Sequence, residues 1–299
     1  KKSKKNKAII EIKRHNSTFC ENCFLEYYYL QVEKNIKKYK MLTKNDRILV
    51  AVSGGKDSMA LWHVLSLLGY NVTGMYINLG IDEYSEKSEN VIKSFSEKFK
   101  LPLIIKNIKN EYGFEIYQLA QITHRTTCSV CGTIKRYLFN KVAYDEKFNT
   151  VATGHNLDDE VATLLGNTLN WEIDYLSRQF PVLPSTHSKL VKKVKPLFSL
   201  TERENFYYVF LHKIDFLHDE CIYSKGARSI FLKELLTKIE DKSPGSKQRF
   251  LINFFKKVHP LLKNNENITL LECEKCGHIT TSNVCSFCRL LEKSKNKKN

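Results

Sequence analysis

The chain has 299 residues, 42% hydrophobic and 27% charged, which is enough apolar material for a substantial core and excludes a disordered polymer. No stretch approaches the ~18 uninterrupted apolar residues of a membrane span, and the lysine-led start has no apolar signal region behind it, so a cytoplasmic protein is expected. Lys and Arg number 48 against 32 Asp and Glu, a net +16 of which nine charges sit in the two lysine-rich ends; the remaining +7 still points to a polyanion, nucleic acid before an anionic membrane.

In chain order, residues 1–25 combine a basic start with Cys20-x-x-Cys23, and the 26–46 region is expected to be a linking helix, with helix-forming composition over 26–44. From Arg47 short apolar runs alternate with longer amphipathic ones. Strands are predicted at 48–52, 72–78, 101–108, 150–153 and 194–198, and helices at 58–69, 86–99, 132–146 and 157–169. That alternation predicts a doubly wound parallel α/β sheet over a domain spanning 47–265, with ligands at the carboxyl ends of its strands. Residues 201–262 read as helical with a break at Ser243-Pro244-Gly245, and 266–299 form a cysteine-rich module with a basic tail.

The segment Ser53-Gly54-Gly55-Lys56-Asp57-Ser58 falls between the first strand and its helix. Two glycines let the backbone turn N–H groups toward an anion, the serines add hydroxyl donors, and the helix N-terminus adds its positive dipole end. Val50 stands where a Walker A loop needs its first glycine, and Asp57 follows the lysine where Ser or Thr is required, so transfer of a γ-phosphate is not indicated.

Eight of the nine cysteines form four CxxC pairs, Cys20/Cys23, Cys128/Cys131, Cys273/Cys276 and Cys285/Cys288, with Cys221 alone. Such spacing in a cytosolic chain points to metal or redox chemistry rather than disulfides. The last two pairs are separated by eight residues that include Gly277, a spacing that folds four thiolates into a zinc tetrahedron. Cys128, Cys131 and Cys221 remain, with the CxxC expected on a loop before a helix. Three thiols suit an iron–sulfur cluster with one iron left open, or a persulfide relay with a resolving cysteine. Asp158, Asp159 and Glu160 follow the strand at 150–153, where they favour a helix N-terminus or bind Mg2+. Lys135 is either a solvated helix charge or a cation for a developing negative charge. His124 and His155 are read as hydrogen-bonding groups rather than metal ligands.

The loop SGGKDS resembles that of the PP-loop ATP pyrophosphatases of the adenine nucleotide alpha-hydrolase superfamily, which cleave ATP between the α- and β-phosphates and adenylate a carbonyl oxygen. The combination of that loop with TCSVCG, a later lone cysteine and GHNLDDE resembles the tRNA 2-thiolation enzymes over almost the whole chain, and most of all the group acting on ribothymidine 54 of the T loop. The resemblance implies that Ala51, Ser53, Gly54, Gly55, Asp57, Ser58, Ile77, Lys135 and Gly154 bind ATP. It implies that Cys128, Cys131 and Cys221 hold a [4Fe-4S] cluster, and that Lys135 and Asp159 assist catalysis with Mg2+. It further implies Zn2+ at Cys273, Cys276, Cys285 and Cys288, tRNA as substrate, a ubiquitin-like sulfur carrier with a C-terminal thiocarboxylate, and a homodimer. Relatives that thiolate uridine 34 or cytidine 32, and PP-loop ligases that transfer no sulfur, remain alternatives. The family has a further CxxC near its N-terminus where this chain has Ser3 and Asn6. Cys20 and Cys23 therefore bind zinc weakly, share another chain's ligands, or bind nothing.

Overall fold

The computed structural model of the chain describes residues 7–219, 221–224, 228–262 and 269–296. An antiparallel hairpin of β1 (Ile10–Ile12) and β2 (Ser17–Phe19) leads into α1 (Glu21–Lys38). This helix begins and ends earlier than the 26–44 stretch predicted. Its buried residues Phe24, Tyr28, Val32 and Ile36 recur every fourth position and give it one apolar face.

The central domain contains β3 (Arg47–Ala51), α2 (Lys56–Leu67), β4 (Asn71–Asn78), α3 (Asp82–Phe99) and β5 (Leu103–Asn107). It continues through α4 (Ile108–Tyr112), α5 (Ile116–Thr123), α6 (Thr127–Asp145), β6 (Thr150–Thr153), α7 (Leu157–Leu169) and α8 (Ile173–Arg178). Then come β7 (Val182–Leu183), β8 (Lys192–Val194), α9 (Glu202–Leu211), α10 (Arg228–Lys242) and α11 (Ser246–Asn253). The sheet order is β5-β4-β3-β6-β8-β7, parallel throughout except for β7, which runs antiparallel to β8 at one edge.

Helices cover both faces, as a doubly wound sheet requires. One core joins α1, α2, α7, α9 and α11 through Tyr28, Trp62, Val161, Tyr208 and Leu251. The other joins α5 and α6 through Leu119, Ile134 and Leu138. Against this second core packs the terminal module of β9 (Leu271–Glu272), β10 (Ile279–Thr280) and α12 (Ser286–Asn296), through Phe287 and Leu290. The Phe287 ring stacks on Tyr137 of α6 with centroids 3.9 Å apart. Among the described residues no helix is long and apolar enough to cross a membrane.

Three local expectations are corrected. The strand predicted at 194–198 is instead β8, Lys192–Val194; Pro196 has no N–H for a ladder, and Leu197, Phe198 and Leu200 are buried in a turn. The helical reading of 201–262 breaks twice, once at Ser243–Gly245 as predicted and once after Leu211, where the chain crosses back so that the Leu217 N–H donates to the Gly54 carbonyl at 2.8 Å. The central CxxC lies in the first turn of α6 rather than on a loop, because the Thr126 hydroxyl caps the helix by accepting from the Ser129 N–H.

Candidate active site and thiol centres

The turn from β3 into α2 is built around anion-binding geometry. Gly54 has φ +82°, a left-handed conformation that disfavours a side chain, and Gly55 opens α2. The Ser58 hydroxyl accepts from the Ser53 N–H at 3.1 Å and donates to the Gly55 carbonyl at 2.9 Å, which closes the loop on itself. The loop after β6 comes so close that a Cβ on Gly154 would sit 2.9 Å from the Asp57 carbonyl carbon. Together these segments edge a cavity of about 560 Å3 at the carboxyl ends of β3, β4 and β6.

Asp57 is fixed from the far side of the molecule. The Tyr28 hydroxyl of α1 donates to Asn205 Oδ1 at 2.8 Å, and Asn205 Nδ2 donates to Asp57 Oδ1 at 2.7 Å. Burial pushes the Asp57 carboxyl above its ordinary range, against the pull of Lys56 and of Asn205.

Helix α6 carries the thiols toward the same cavity. Cys128 and Cys131 stand in its first turns, and Gly132 and Lys135 line the cavity wall. Cys128 is exposed, and its Sγ lies 3.3 Å from the carbonyl of Tyr223, two residues beyond Cys221. Burial pushes the Cys128 thiol up, and the nearby Cys131 and Cys221 add to the effect while Lys135 opposes it. Tyr84, which lines the cavity, feels Cys221 and Cys131 as well. The segment carrying Cys221 thus packs against the start of α6 through the Cys128–Tyr223 contact, while the three central sulfurs do not close on a single ion as the terminal quartet does.

The terminal quartet has a different geometry. The Sγ atoms of Cys273, Cys276, Cys285 and Cys288 all lie within 4.8 Å of one another, and Cys276 and Cys285 are 3.8 Å apart. Four sulfurs bound at ~2.3 Å to one tetrahedral ion have edges of about 3.8 Å. Burial pushes the Cys273 thiol up, but N–H groups of Cys285, Lys275 and Cys276 outweigh this and bring it to about 6. Among the described residues this is the group of metal-ligand type that closes on a single ion. Cys20 and Cys23 belong to no such group; the Cys23 N–H, with other N–H groups of the first turn of α1, pulls the Cys20 thiol down. Ser3 and Asn6 lie outside the described residues.

The PP-loop domain family matches residues 28–239, more than half of the chain. The chain is 46% identical over 284 residues to the tRNA-5-methyluridine(54) 2-sulfurtransferase of Thermus thermophilus, covering 95% of this chain and 88% of that one. It is 43% identical over 285 residues to the enzyme of the same name from Pyrococcus horikoshii, covering 94% and 90%. The chain belongs to this PP-loop sulfurtransferase family. A solved structure, the U34-tRNA thiolase NcsA from Methanococcus maripaludis with its [4Fe-4S] cluster, matches at TM-score 0.81 and 25% identity over 99% of this chain and 96% of that one.

Within this PP-loop sulfurtransferase, Ala51, Ser53, Asp57, Ser58, Ile77, Lys135, Gly154 and Asp159 line the one cavity, with Gly54 and Gly55 in the loop at its edge. Asp159 does not face the cavity unencumbered. Its Oδ1 is 2.6 Å from Lys233 Nζ on α10, and its Oδ2 accepts from the Asn156 N–H. Burial pushes the Asp159 carboxyl up, but Lys233 outweighs it and holds the group below its ordinary range. Lys233 also clasps Glu202, which in turn reaches Lys56 at 3.8 Å. Sequence reasoning missed Lys233, Asn205, Arg136 and Lys193. Only Lys193 carried a local signal: in Lys192-Lys193-Val194, period-two alternation turns Val194 into one core and leaves Lys193 to the opposite face.

Proposed function

We propose that the protein is an ATP-dependent tRNA 2-thiolation enzyme acting on ribothymidine 54. One observation carries the reading: α6 holds Cys128 and Cys131 in the turns just before Gly132 and Lys135, which line a cavity edged by a phosphate-binding loop. Phosphate binding and sulfur chemistry thus share one opening, an arrangement of no use to a PP-loop ligase without sulfur transfer. The relatives of highest stated identity bear the position-54 name, which favours that target over uridine 34.

The chemistry follows from the groups present. The C2 oxygen of uridine is a poor leaving group until it is joined to phosphorus. Attack of that oxygen on the α-phosphate forms a C–O–P linkage and expels pyrophosphate, which the loop N–H groups and the Ser53 and Ser58 hydroxyls hold. Lys135 offsets the charge that builds on the α-phosphate. A sulfur nucleophile then adds at C2, AMP leaves with the original oxygen, and a thiocarbonyl remains. A [4Fe-4S] cluster held by Cys128, Cys131 and Cys221 supplies that sulfur when bound. Asp159 offers a carboxylate to Mg2+ on the ATP phosphates, and the cavity walls keep water from the adenylate.

Several partners belong to the same proposal. The terminal quartet holds Zn2+, consistent with its sulfur–sulfur spacing. Sulfur is renewed from a ubiquitin-like carrier with a C-terminal thiocarboxylate, the enzyme works in the cytoplasm, and it assembles as a homodimer. The test is anaerobic reconstitution with ATP, sulfide and tRNA, followed by mass mapping of the nucleosides. Thiolation at position 54 is expected. Sulfur at 34 or 32 would reassign the target, and ATP consumption without sulfur incorporation would refute the reading.

A further inference from the structure

Of the cations that line the cavity, Lys195 pairs with Glu160 at 2.8 Å, whereas Lys135, Arg136 and Lys193 have no carboxylate partner among the described residues. Among the described residues the side chain of neither Arg136 nor Lys193 makes an ion pair or a hydrogen bond; Arg136 is exposed and Lys193 half-buried. Each lines the nucleotide cavity, and each also lines a second cavity of about 220 Å3 whose opposite wall is the terminal module, with Thr280 and Ser286. The two residues thus stand where the nucleotide cavity meets the seam between α6 and that module.

Two like charges held near each other without a carboxylate cost free energy unless an anion shares them. Burial, and secondarily Arg136, hold the Lys193 ammonium below its ordinary range. The anion is not explained by ATP phosphates in the loop. That loop follows β3, whereas Lys193 lies on β8, two strands and so about 10 Å across the sheet. Its neighbour Val194 packs in the core shared with α2, so Lys193 faces the side on which α6 and the module sit.

We infer that Arg136 and Lys193 bind a backbone phosphate of the RNA substrate beside the nucleotide whose base enters the cavity. This rests on the tRNA reading above and adds the strand's path: along the seam, between α6 and the terminal module. A base taken out of its stack leaves its own phosphate at the pocket mouth, and a guanidinium beside an ammonium offers that phosphate several donors.

The test compares wild-type holoenzyme with Arg136→Gln, Lys193→Gln and the double variant. tRNA affinity is measured across a KCl series, and ATP affinity separately by equilibrium binding. Each single variant should weaken tRNA binding about five- to tenfold and flatten the log–log salt slope by about 0.7–0.9, leaving ATP affinity unchanged. Arg136→Lys and Lys193→Arg should recover the wild-type slope. Reduced ATP affinity with an unchanged slope would assign the pair to the triphosphate and overturn the inference, as would no change in either quantity. Either result, obtained while the wild type thiolates position 54, leaves the enzyme reading standing; a wild type that neither binds nor thiolates tRNA overturns both.

Discussion

The terminal quartet and the central trio use the same amino acid, largely at the same CxxC spacing, and differ in number, burial and closeness. The terminal quartet is compact and mostly buried, from two knuckles twelve residues apart at Cys273 and Cys285, and its sulfurs are spaced for one ion. The central trio is open. Cys128 is exposed, Cys131 and Cys221 are half-buried, and the third thiol comes from a segment ninety residues further along the chain. A full set of four protein ligands leaves a metal nothing to do but hold structure, whereas three leave a coordination position for chemistry. Number and burial, not spacing, separate the two.

That comparison breaks if the trio proves structural. Replacing Cys128, Cys131 or Cys221 by Ser should abolish thiolation by far more than the ~100-fold typical of changes outside a metal's own ligands, with thermal stability of the fold nearly unchanged. Cys285→Ser, or removal of zinc by a chelator, should do the reverse: a lowered melting transition and weakened tRNA binding, with the iron–sulfur absorbance retained.

Smaller effects sharpen the boundary between the sulfur centre and the nucleotide site. Lys135→Ala should lower single-turnover adenylation about 100-fold, with cluster content intact. Gly154→Ala forces a Cβ to within 2.9 Å of the Asp57 backbone, so it should cost about 1–3 kcal/mol in unfolding and raise the KM for ATP. Lys233→Met should have the smallest effect, about 1 kcal/mol, because the pair is partly open to solvent. Asp159 is held below its ordinary range, so the pair's contribution is complete above about pH 4 and is lost as pH falls through the folded value. Lys233 is raised, so its contribution is present below about pH 10 and lost as pH rises through its folded value. The stability gap between wild type and variant should therefore be flat from about pH 5 to 10 and close on the acid side.

Much of this arrangement was legible in the residues themselves. The β6 strand at 150–153 and α7 at 157–169 coincide with prediction because apolar runs and an Asn156 cap mark them locally. The phosphate loop was equally plain, since glycines, serines and strand–helix context all lie within six residues. What could not be read depends on contacts across the fold. Asn205 reaches Asp57 over 148 residues of sequence, and Lys233 reaches Asp159 from a helix with no motif of its own. The short β8 was misplaced because buried Leu197 and Phe198 mimic a strand while Pro196 prevents one. Thr126, the cap that draws the central cysteines into α6, was available in the sequence as a helix-start signal preceding TCSV.

The central claim is that, under the proposed function, adenylation and sulfur transfer are separable duties of the phosphate loop and the three central thiols. Single-turnover assays of Cys221→Ser, with tRNA and ATP under anaerobic conditions, address it most directly. The account predicts tRNA-dependent release of pyrophosphate near the wild-type rate and no thiolated nucleoside. Thiolation at the wild-type level by that variant would contradict it.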